Sequence, residues 1–481
     1  MQVNKTGDLA SIYDAAPITG RYWRTFSLLA AGQALDFFDF FIVGFIVAVI
    51  GPSWHLTFGQ SATMLLGAGL GAMIGALVWG VLADRWGRKL LIVIGTFICA
   101  ASSLALAIVP EGGWELFAIL RFGVGFGLAA AATPTGALIV EYTPTRLRTF
   151  ASSFIVVANS VGVLLAATTA ASLLATLGWR GVAAFGVLPA VVGVLVWILV
   201  PESYLWLLSA NRPADARRSV AYALNVAPDS LPLPTSAPVA QPRARLAELF
   251  VDPRRAILIS LTWLCASTAF YGVYLWGPTI IALLLKITPR EAAQFFVYIG
   301  IVGVAGKVLF SVLPQKIGRR RSGELMGYCG AIGLLLAGYF NQTFILGVPA
   351  FIVLLMAGDL FFEGGLANLA PYSVEVFGVR LGARSVGLAQ AANAVGKMAG
   401  PVILALIAGT SNFVSPQATV DSILPAFIFF ACCSLVVGMC FTLIPLETHG
   451  KPLQIDGAAE PARAAGASPA MALGARPVVK E

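Results

Sequence analysis

The sequence is poor in charged residues and poorer still in histidine. Only 11% of its 481 residues are Asp, Glu, Lys or Arg, and only His55 and His449 are histidines. None of the six cysteines has a metal-ligand spacing with a histidine, so we interpret the cysteines as small packing residues. A Gly-Lys-Ser/Thr phosphate loop and a Ser/His/Asp set are also missing, which argues against direct ATP drive and soluble hydrolytic chemistry. We therefore predict a protein that is not an enzyme and that needs no cofactor or metal.

The chain is instead rich in apolar residues. They make up 58% of the chain, and the mean hydropathy is +0.86, which is more apolar surface than a soluble core absorbs. The sequence therefore predicts an all-α membrane protein with twelve transmembrane helices in two six-helix bundles. The apolar runs lie near residues 25–51, 62–82, 90–109, 114–139, 151–172, 180–200, 256–285, 294–313, 325–340, 344–370, 385–408 and 422–444.

A polar, Pro-rich segment separates the two sets of apolar runs. Of the 31 Lys and Arg, 25 fall on the side of the N-terminus, and only Arg180, Lys286 and Arg290 fall on the other. Such a bias sets orientation, so we expect both termini in the cytoplasm and a multi-pass protein of a bacterial-type inner (plasma) membrane. The predicted parts are a cytoplasmic N-terminus (1–24), an N-terminal bundle (25–200), a cytoplasmic linker (201–255), a C-terminal bundle (256–444) and a largely disordered tail (445–481).

The two halves repeat a pattern of polar residues. An acid is followed by Asn after 18 residues and by Gly after 21, and this pattern recurs at an offset of 234 residues. A second pairing, of the residues 84–88 with residues 315–319, has nearly the same offset. Two matches at nearly one offset indicate duplicated bundles of the same orientation. The repeated positions are Glu141, Asn159 and Gly162 in the first half, and Glu375, Asn393 and Gly396 in the second.

Two acids stand inside the first apolar run. Asp36 lies about 17 Å from the start of that run, near the middle of the hydrocarbon, and Asp39 follows on the same helix face. A charge at that depth costs at least about 2.5–3.5 kcal/mol by insertion scales, so it is rarely there without a function. One interpretation is a protonated or locally paired acid that packs helices together. The other, which we favour, is a proton-coupling site on a water-filled path.

The loop between the second and third runs carries the most specific motif. GVLADRWGRK, residues 80–89, resembles the signature of the major facilitator superfamily almost letter for letter. The resemblance implies the fold of that superfamily and a cytoplasmic gate between the bundles, formed by Asp84, Arg85 and Arg88 together with Gly80 and Gly87. Simple positive-inside anchoring is the alternative. The gating set also includes the charged residues Glu141 and Arg148 after the fourth run and Glu375 and Arg380 in the second half, for which a structural ion pair is the alternative.

Three short features distinguish families within that superfamily. The Asp36-x-x-Asp39 spacing, the Trp276-Gly-Pro-Thr279 sequence and the Gly396-Lys397 pair resemble the aromatic acid:proton symporters. Two departures are Phe37, where that family has Gly, and Lys397, where it has Arg, and Lys lacks the bidentate fork of Arg. Some features resemble sugar porters instead, notably the tail at 446–453, although the seventh run lacks their Gln pair.

Several further residues are candidates for the substrate site. Arg121 and Lys397 are cations inside apolar runs, and we expect them to attract a carboxylate from opposite bundles. Asp359 and Glu363 lie four apart on one helix face, where mutual shielding with a buried lysine is the alternative. Aromatic residues in the apolar runs are candidates for stacking a ring, with core packing as the alternative. They are Phe38, Tyr271 and Tyr274, and also Phe37, Phe270 and Phe361.

These observations predict a secondary active transporter. We expect proton-coupled symport of a small organic, aromatic carboxylate by alternating access, with the lipid bilayer, protons and the organic anion as its partners. We expect a monomer and no nucleic-acid binding. A sugar or neutral-metabolite symporter and a drug or metabolite exporter of the same fold stay open as alternatives, with a non-transporting receptor as a remote third.

Overall fold

The protein is described by a computed structural model that covers residues 9–234, 246–444 and 446–448. Nearly all of this part is helical. The α-helices are α1 (Leu9–Ala15), α2 (Gly20–Ser53), α3 (Phe58–Trp86), α4 (Arg88–Leu106), α5 (Trp114–Tyr142), α6 (Arg148–Ala184), α7 (Leu188–Leu199), α8 (Tyr204–Ser209), α9 (Pro213–Leu224), α10 (Pro253–Leu284), α11 (Pro289–Ile317), α12 (Arg319–Tyr339), α13 (Ala350–Phe377), α14 (Val379–Ala408) and α15 (Pro416–Leu443).

Short irregular elements join these helices. A two-stranded antiparallel hairpin precedes α13, with β1 (Phe344–Ile345) paired to β2 (Val348–Pro349). The 3₁₀ turns are Thr145–Leu147, Phe185–Val187, Pro228–Ser230 and Leu246–Val251. The hairpin and the turns all lie at or near the ends of the long helices.

Ten segments of the described chain are long and apolar enough to cross a membrane. One of them, 154–199, has 46 residues, which at about 1.5 Å per residue is roughly twice the thickness of a bilayer core. It contains Gly178 at φ 65°, a conformation that breaks the helix. Helix α12 is not among the ten, since arginines, a glutamate and several glycines make it less apolar than the others. The fold class is thus an all-α membrane protein, while the number twelve stays a prediction.

Helix ends are fixed in the same way in both halves. Thr57 and Thr288 each form a capping box with the residue three positions later, at the start of α3 and of α11. Gly87 and Gly318 end these helices at φ 92° and 93°, a region that favours glycine. The same chain reversal therefore follows α3 in the first half and α11 in the second half.

Glycines let the helices of the first half approach closely. A methyl group at Gly125 of α5 would fall on the carbonyl of Ala68 in α3, and one at Gly127 would fall on the backbone of α4 at Cys99. Small residues promote such contacts within membranes, where no hydrophobic effect drives helices together. Helices α2–α7 pack mainly on one another, and so do α10–α15.

The two helix sets meet mainly along α6 with α11, α3 with α14 and α2 with α10, with smaller contacts of α2 with α11 and of α6 with α13. We call the side where α2 begins and α15 ends the terminus side, and the opposite side the loop side. On the loop side, the backbone of residues 56–59 exchanges three hydrogen bonds with residues 410–414, at 2.9–3.0 Å. The molecule is therefore closed toward the loop side.

Several predicted boundaries change. The first helix begins at Gly20 rather than residue 25, because Thr19 accepts a hydrogen bond from the amide of Tyr22 and caps it. The linker 201–255 contains helices α8 and α9, which the polar, Pro-rich composition did not indicate. Most of the predicted tail, residues 445 and 449–481, lies outside the described residues.

The close approach of α3 and α5 gives a test of the packing. We expect Gly125→Ala to destabilise the protein by about 1–3 kcal/mol, because the added methyl overlaps the Ala68 carbonyl and forces the helices apart. Thermal unfolding of the purified, detergent-solubilised protein measures this. Gly136→Ala in the same helix is the matched control, since nothing lies within 4 Å of its added methyl. Equal unfolding midpoints for the two variants would contradict the packing described here.

Candidate functional site

Three cations lie deep inside long apolar helices. They are Arg121 of α5, Lys307 of α11 and Lys397 of α14. Arg121 and Lys307 each face a carboxylate, at 3.9 Å from Asp39 and 3.2 Å from Glu363. Among the described residues, Lys397 forms no ion pair with any carboxylate. This difference divides the predicted site into three parts.

The first part joins Asp39 to Arg121 inside the first helix set. Asp39 is 1% exposed and accepts hydrogen bonds from Ser103 at 2.9 and 3.1 Å and from the thiol of Cys99 at 3.4 Å. The Arg121 guanidinium donates to the backbone carbonyls of Asp39 and Phe40, both at 3.0 Å. Arg121 is 1% exposed and is thus held by α2 rather than directed toward the second helix set.

Asp36 lies one helical turn before Asp39 and is 5% exposed. Within the described chain it forms no hydrogen bond and no ion pair. The pair Asp36 and Asp39 therefore carries two carboxyl groups next to one guanidinium. An ionised carboxylate without a partner is costly at this depth, so the arrangement suits uptake of a proton.

The second part is an aromatic cluster between α2 and α10. Phe40 and Phe41 of α2 contact Phe270, Tyr271 and Tyr274 of α10, with ring centroids 5.3–6.0 Å apart. The cluster lies where the two helix sets meet. Residues 37, 40, 41 and 44 share a helix face, which places Gly44 against the backbone of α10 at Leu275.

The predicted Phe38 does not share that face. It is buried in the core at 2% exposure, and no ring contact joins it to the cluster within the described chain. Sequence analysis named Phe38 but missed Phe40 and Phe41. The signal for them was available: Phe40 and Phe41 follow Phe37 by three and four positions, so these three rings line one face of α2.

Lys397 lies beside the aromatic cluster. Its Nζ is 5.3 Å from the ring centroid of Tyr271 and 5.7 Å from that of Phe40. These distances fit cation–π contacts, one to each helix set. Lys397 is half-buried, at the level where α14 packs against Gly69 of α3.

The third part is an ion-pair centre in the second helix set, formed by Lys307, Asp359, Glu363 and Tyr274. The Tyr274 hydroxyl lies 2.7 Å from Asp359 and 2.5 Å from Glu363, and Lys307 lies 3.2 Å from Glu363. Ser160 of α6 donates a hydrogen bond to Glu363 from the first helix set. The predicted substrate residues Asp359, Glu363 and Tyr274 thus bind one another.

The terminus side carries a matched ion pair in each half. Arg88 lies 3.3 Å from Glu141, and Arg319 lies 2.7 Å from Glu375. Each pair joins the start of one helix to the end of another within its own half. Neither pair crosses between the helix sets.

Two further acids, which sequence analysis did not single out, complete these networks. Glu202 accepts hydrogen bonds from the backbone amides of Arg88 and Lys89, and Glu447 accepts from those of Arg319 and Arg320. Both acids thereby bind the otherwise unpaired amides at a helix N-terminus. A recurrence of Glu just after the last apolar run of each half was the available signal.

The other gating candidates are placed only in part. Gly80 has open space beside it, Arg85 is exposed, and Gly87 forms the reversal between α3 and α4. The side chains of the other predicted gating residues, Asp84, Arg148 and Arg380, lie outside the described residues.

The second part of the site combines a cation with aromatic rings. An ammonium without a carboxylate partner lies over two aromatic rings at the contact between the helix sets. A carboxylate pairs with such a group by a charge-assisted hydrogen bond, and an attached ring stacks on its neighbours. Buried acids lie in each helix set nearby and can hold protons.

Comparison with known proteins points in the same direction. A family model described as Major Facilitator Superfamily matches residues 29–348. The niacin transporter NiaP of Acinetobacter baylyi is 27% identical over 463 residues, which are 94% of this chain and 100% of that protein. The 4-hydroxybenzoate transporter PcaK of Pseudomonas aeruginosa is 28% identical over 292 residues, 59% of this chain and 61% of that protein.

A solved structure shares the architecture. The partially occluded, inward-open xylose transporter XylE from E. coli aligns with a TM-score of 0.69 at 18% identity. The alignment covers 90% of this chain and 100% of that one. At this level of identity the similarity concerns the fold alone.

The Glu202 cap gives a pH-dependent prediction. Burial raises the pKa of Glu202 above its ordinary value of 4.5, although the amides of Ser203, Lys89 and Arg88 and the charge of Arg88 act in the opposite direction. The folded state therefore favours protonated Glu202, and this stabilisation is complete below pH 4.5 and is lost as the pH rises through the raised pKa. We expect Glu202→Gln to lack this loss. The thermal unfolding midpoint of the variant should therefore rise relative to that of the wild type as the pH increases from 4.5. Parallel pH profiles would contradict this, and exposed Glu111→Gln is the control.

Proposed function

The chain belongs to the major facilitator superfamily, and we propose that it is a proton-coupled symporter of a small aromatic carboxylate that works by alternating access. The family and the relatives are transporters rather than enzymes. The observation that carries the substrate proposal is Lys397, the intramembrane cation that has no carboxylate partner in the described chain.

The proposed substrate site consists of Lys397 and the rings around it. Lys397 would pair with the carboxylate, while Tyr271 and Phe40 would contact the ring of the substrate. Two of these groups belong to the second helix set and one to the first. An anion bound there would hold both sets together, and this differential binding is what a ligand needs to shift a conformational equilibrium.

The relatives support this chemistry. Niacin is a pyridine carboxylic acid and 4-hydroxybenzoate is a phenolic one, so both combine a flat ring with one carboxylate. Arg121, the other predicted anion-binding cation, is bonded to α2 and Asp39. We therefore assign it to proton coupling rather than to the substrate.

Proton coupling would use Asp36, Asp39 and Arg121. A proton on one of the two acids would leave one carboxylate facing one guanidinium, which removes the excess negative charge. Release of the proton would restore that charge and change the contacts of α2. Since α2 also carries Phe40, the proton site and the substrate site share one helix.

The orientation and the gate complete the proposal. The excess of Lys and Arg on the terminus side favours a cytoplasmic location of that side in a bacterial-type inner membrane. The Arg88–Glu141 and Arg319–Glu375 pairs would brace each bundle there while the bundles separate. The loop side, where the two sets are joined by backbone hydrogen bonds, would then face outward.

We expect Asp39→Asn to separate binding from coupling. Asn resembles the protonated acid and keeps an acceptor for Ser103, so substrate exchange between equal concentrations should persist within about twofold. Uptake driven by a pH gradient should fall at least about tenfold, since each pH unit supplies 1.36 kcal/mol per coupled proton. Proteoliposomes with labelled niacin or 4-hydroxybenzoate measure both quantities.

The control for this variant is Asp421→Asn, an exposed Asp on the loop side. It should leave exchange and gradient-driven uptake unchanged. Full gradient-driven uptake by Asp39→Asn would remove Asp39 from the coupling site.

Lys397 gives the second functional test. We expect Lys397→Ala to weaken binding of niacin or 4-hydroxybenzoate about 10- to 100-fold, because a hydrogen bond to a charged group contributes about 1.5–3 kcal/mol. Binding of the corresponding amides, which lack the negative charge, should change much less. Isothermal titration calorimetry of the purified protein measures the affinities for the acids and for the amides.

Lys397→Arg serves as the matched variant, because it keeps the positive charge and adds a bidentate fork. It should bind the acids at least as well as the wild type. Equal losses for acids and amides in Lys397→Ala would exclude Lys397 from the anion site.

A further inference from the structure

The ion-pair centre of the second helix set carries more negative than positive charge. Asp359, Glu363 and Lys307 are 6%, 1% and 2% exposed, and they combine two acids with one cation. If both acids were ionised, one negative charge would stay without compensation in the membrane interior. Such a charge is costly, and a buried group in this position takes up a proton instead.

In the part of the chain that the structure describes, the neighbouring helices supply no second cation to this centre. Tyr274 of α10 contacts both acids, while Lys307 of α11 and Ser160 of α6 contact Glu363. From α12, Gly330 and Gly333 lie against Phe362 and Gly358 of α13. The cation at this depth on α14 is Lys397, which lies over the rings of Phe40 and Tyr271.

The Tyr274 hydroxyl indicates a proton on one of the two acids by an argument that does not depend on counting charges. It lies within hydrogen-bond distance of both carboxyl groups, at 2.7 Å from Asp359 and 2.5 Å from Glu363. A hydroxyl carries one hydrogen and can donate only one of these two bonds. The other short oxygen–oxygen contact needs a hydrogen that comes from a carboxyl group.

The surroundings indicate which acid carries it. Glu363 receives Lys307 at 3.2 Å and the hydroxyl of Ser160, a cation and a hydrogen-bond donor. In the described chain Asp359 forms no ion pair, and it lies against Tyr274 and the Glu363 carboxyl group. The consistent arrangement is a chain in which protonated Asp359 donates to Tyr274, and Tyr274 donates to ionised Glu363.

We propose that Asp359 and Glu363 form a second proton-binding site of the transport cycle, separate from Asp36 and Asp39 and holding one proton on Asp359. The site lies at a contact between the helix sets, because Ser160 of α6 bonds to Glu363 of α13. Separation of α6 from α13 would remove that donor and change the balance between the two acids. The proton is thereby linked to the movement that alternating access requires.

Space around Glu363 is tight enough to fix this arrangement. A methyl group at Gly303 of α11 would fall on the Glu363 carboxylate. The backbone of α11 therefore confines the carboxylate next to Lys307 of the same helix.

Infrared spectroscopy of the full-length protein in lipid nanodiscs tests the bound proton directly. The carbonyl stretch of a protonated carboxylic acid is distinct from that of a carboxylate and shifts in heavy water. We expect Asp359→Asn to remove one such band at neutral pH, while exposed Asp421→Asn leaves the carboxylic-acid region of the spectrum unchanged. Glu363→Gln should remove the same band, because Asp359 then becomes the ionised partner of Lys307; this variant also answers the question if Asp359→Asn does not fold. An unchanged carboxylic-acid region in the folded variants would overturn the proposal.

A transport measurement tests the role in the cycle, and this part rests on the proposed symport. With a gradient of one pH unit and the membrane potential held at zero, each coupled proton multiplies the accumulation ratio about tenfold. We expect Asp359→Asn to lower the ratio for niacin or 4-hydroxybenzoate about tenfold while exchange between equal concentrations persists. An unchanged ratio would overturn the second site. If Asp39→Asn kept full accumulation and Asp359→Asn lost it, the coupling role of Asp39 would fail and the second site would stand.

Discussion

The structure depends on the balance of charge inside the membrane. Three cations and four acids lie at depth in the helices, and their pairing leaves one ammonium over aromatic rings and an excess negative charge at each of the two acid pairs. Charges in hydrocarbon are tolerated only where they are paired, protonated or solvated. One proton for each acid pair and one carboxylate for Lys397 would neutralise all three parts. The proposed ligands, protons and an organic carboxylate, would therefore supply the charges that balance these buried groups.

The positions of these groups connect charge to movement. Asp39 and Phe40 are neighbours on α2, so a change at the proton site acts on a helix that also contacts Tyr271 across the bundle interface. Glu363 is bonded to Ser160 of the opposite set. On the loop side the two sets are joined by backbone hydrogen bonds, whereas on the terminus side the described ion pairs stay within each set. The molecule is thus held at one side and at its middle.

The helices and their duplication were predictable from the sequence, because apolar length and repeated spacing are properties of single segments. Partners across helices were not. Arg121 and Lys397 look equivalent as isolated cations in apolar runs, and they differ only because α2 brings Asp39 to Arg121 and no acid to Lys397. Phe38 was wrongly placed in the aromatic cluster for the same reason: the sequence does not show which face of α2 meets α10, and Phe38 lies off that face. Glu202 and Glu447 were missed because their partners are amides freed by the turns at Gly87 and Gly318, more than a hundred residues earlier.

The most direct test of the account is a structure of the protein in complex with niacin or 4-hydroxybenzoate. The account predicts a carboxylate oxygen within ion-pair distance of the Lys397 ammonium, with the substrate ring against Tyr271 and Phe40. A carboxylate bound to Arg121 or Lys307, with Lys397 facing no anion, would contradict it.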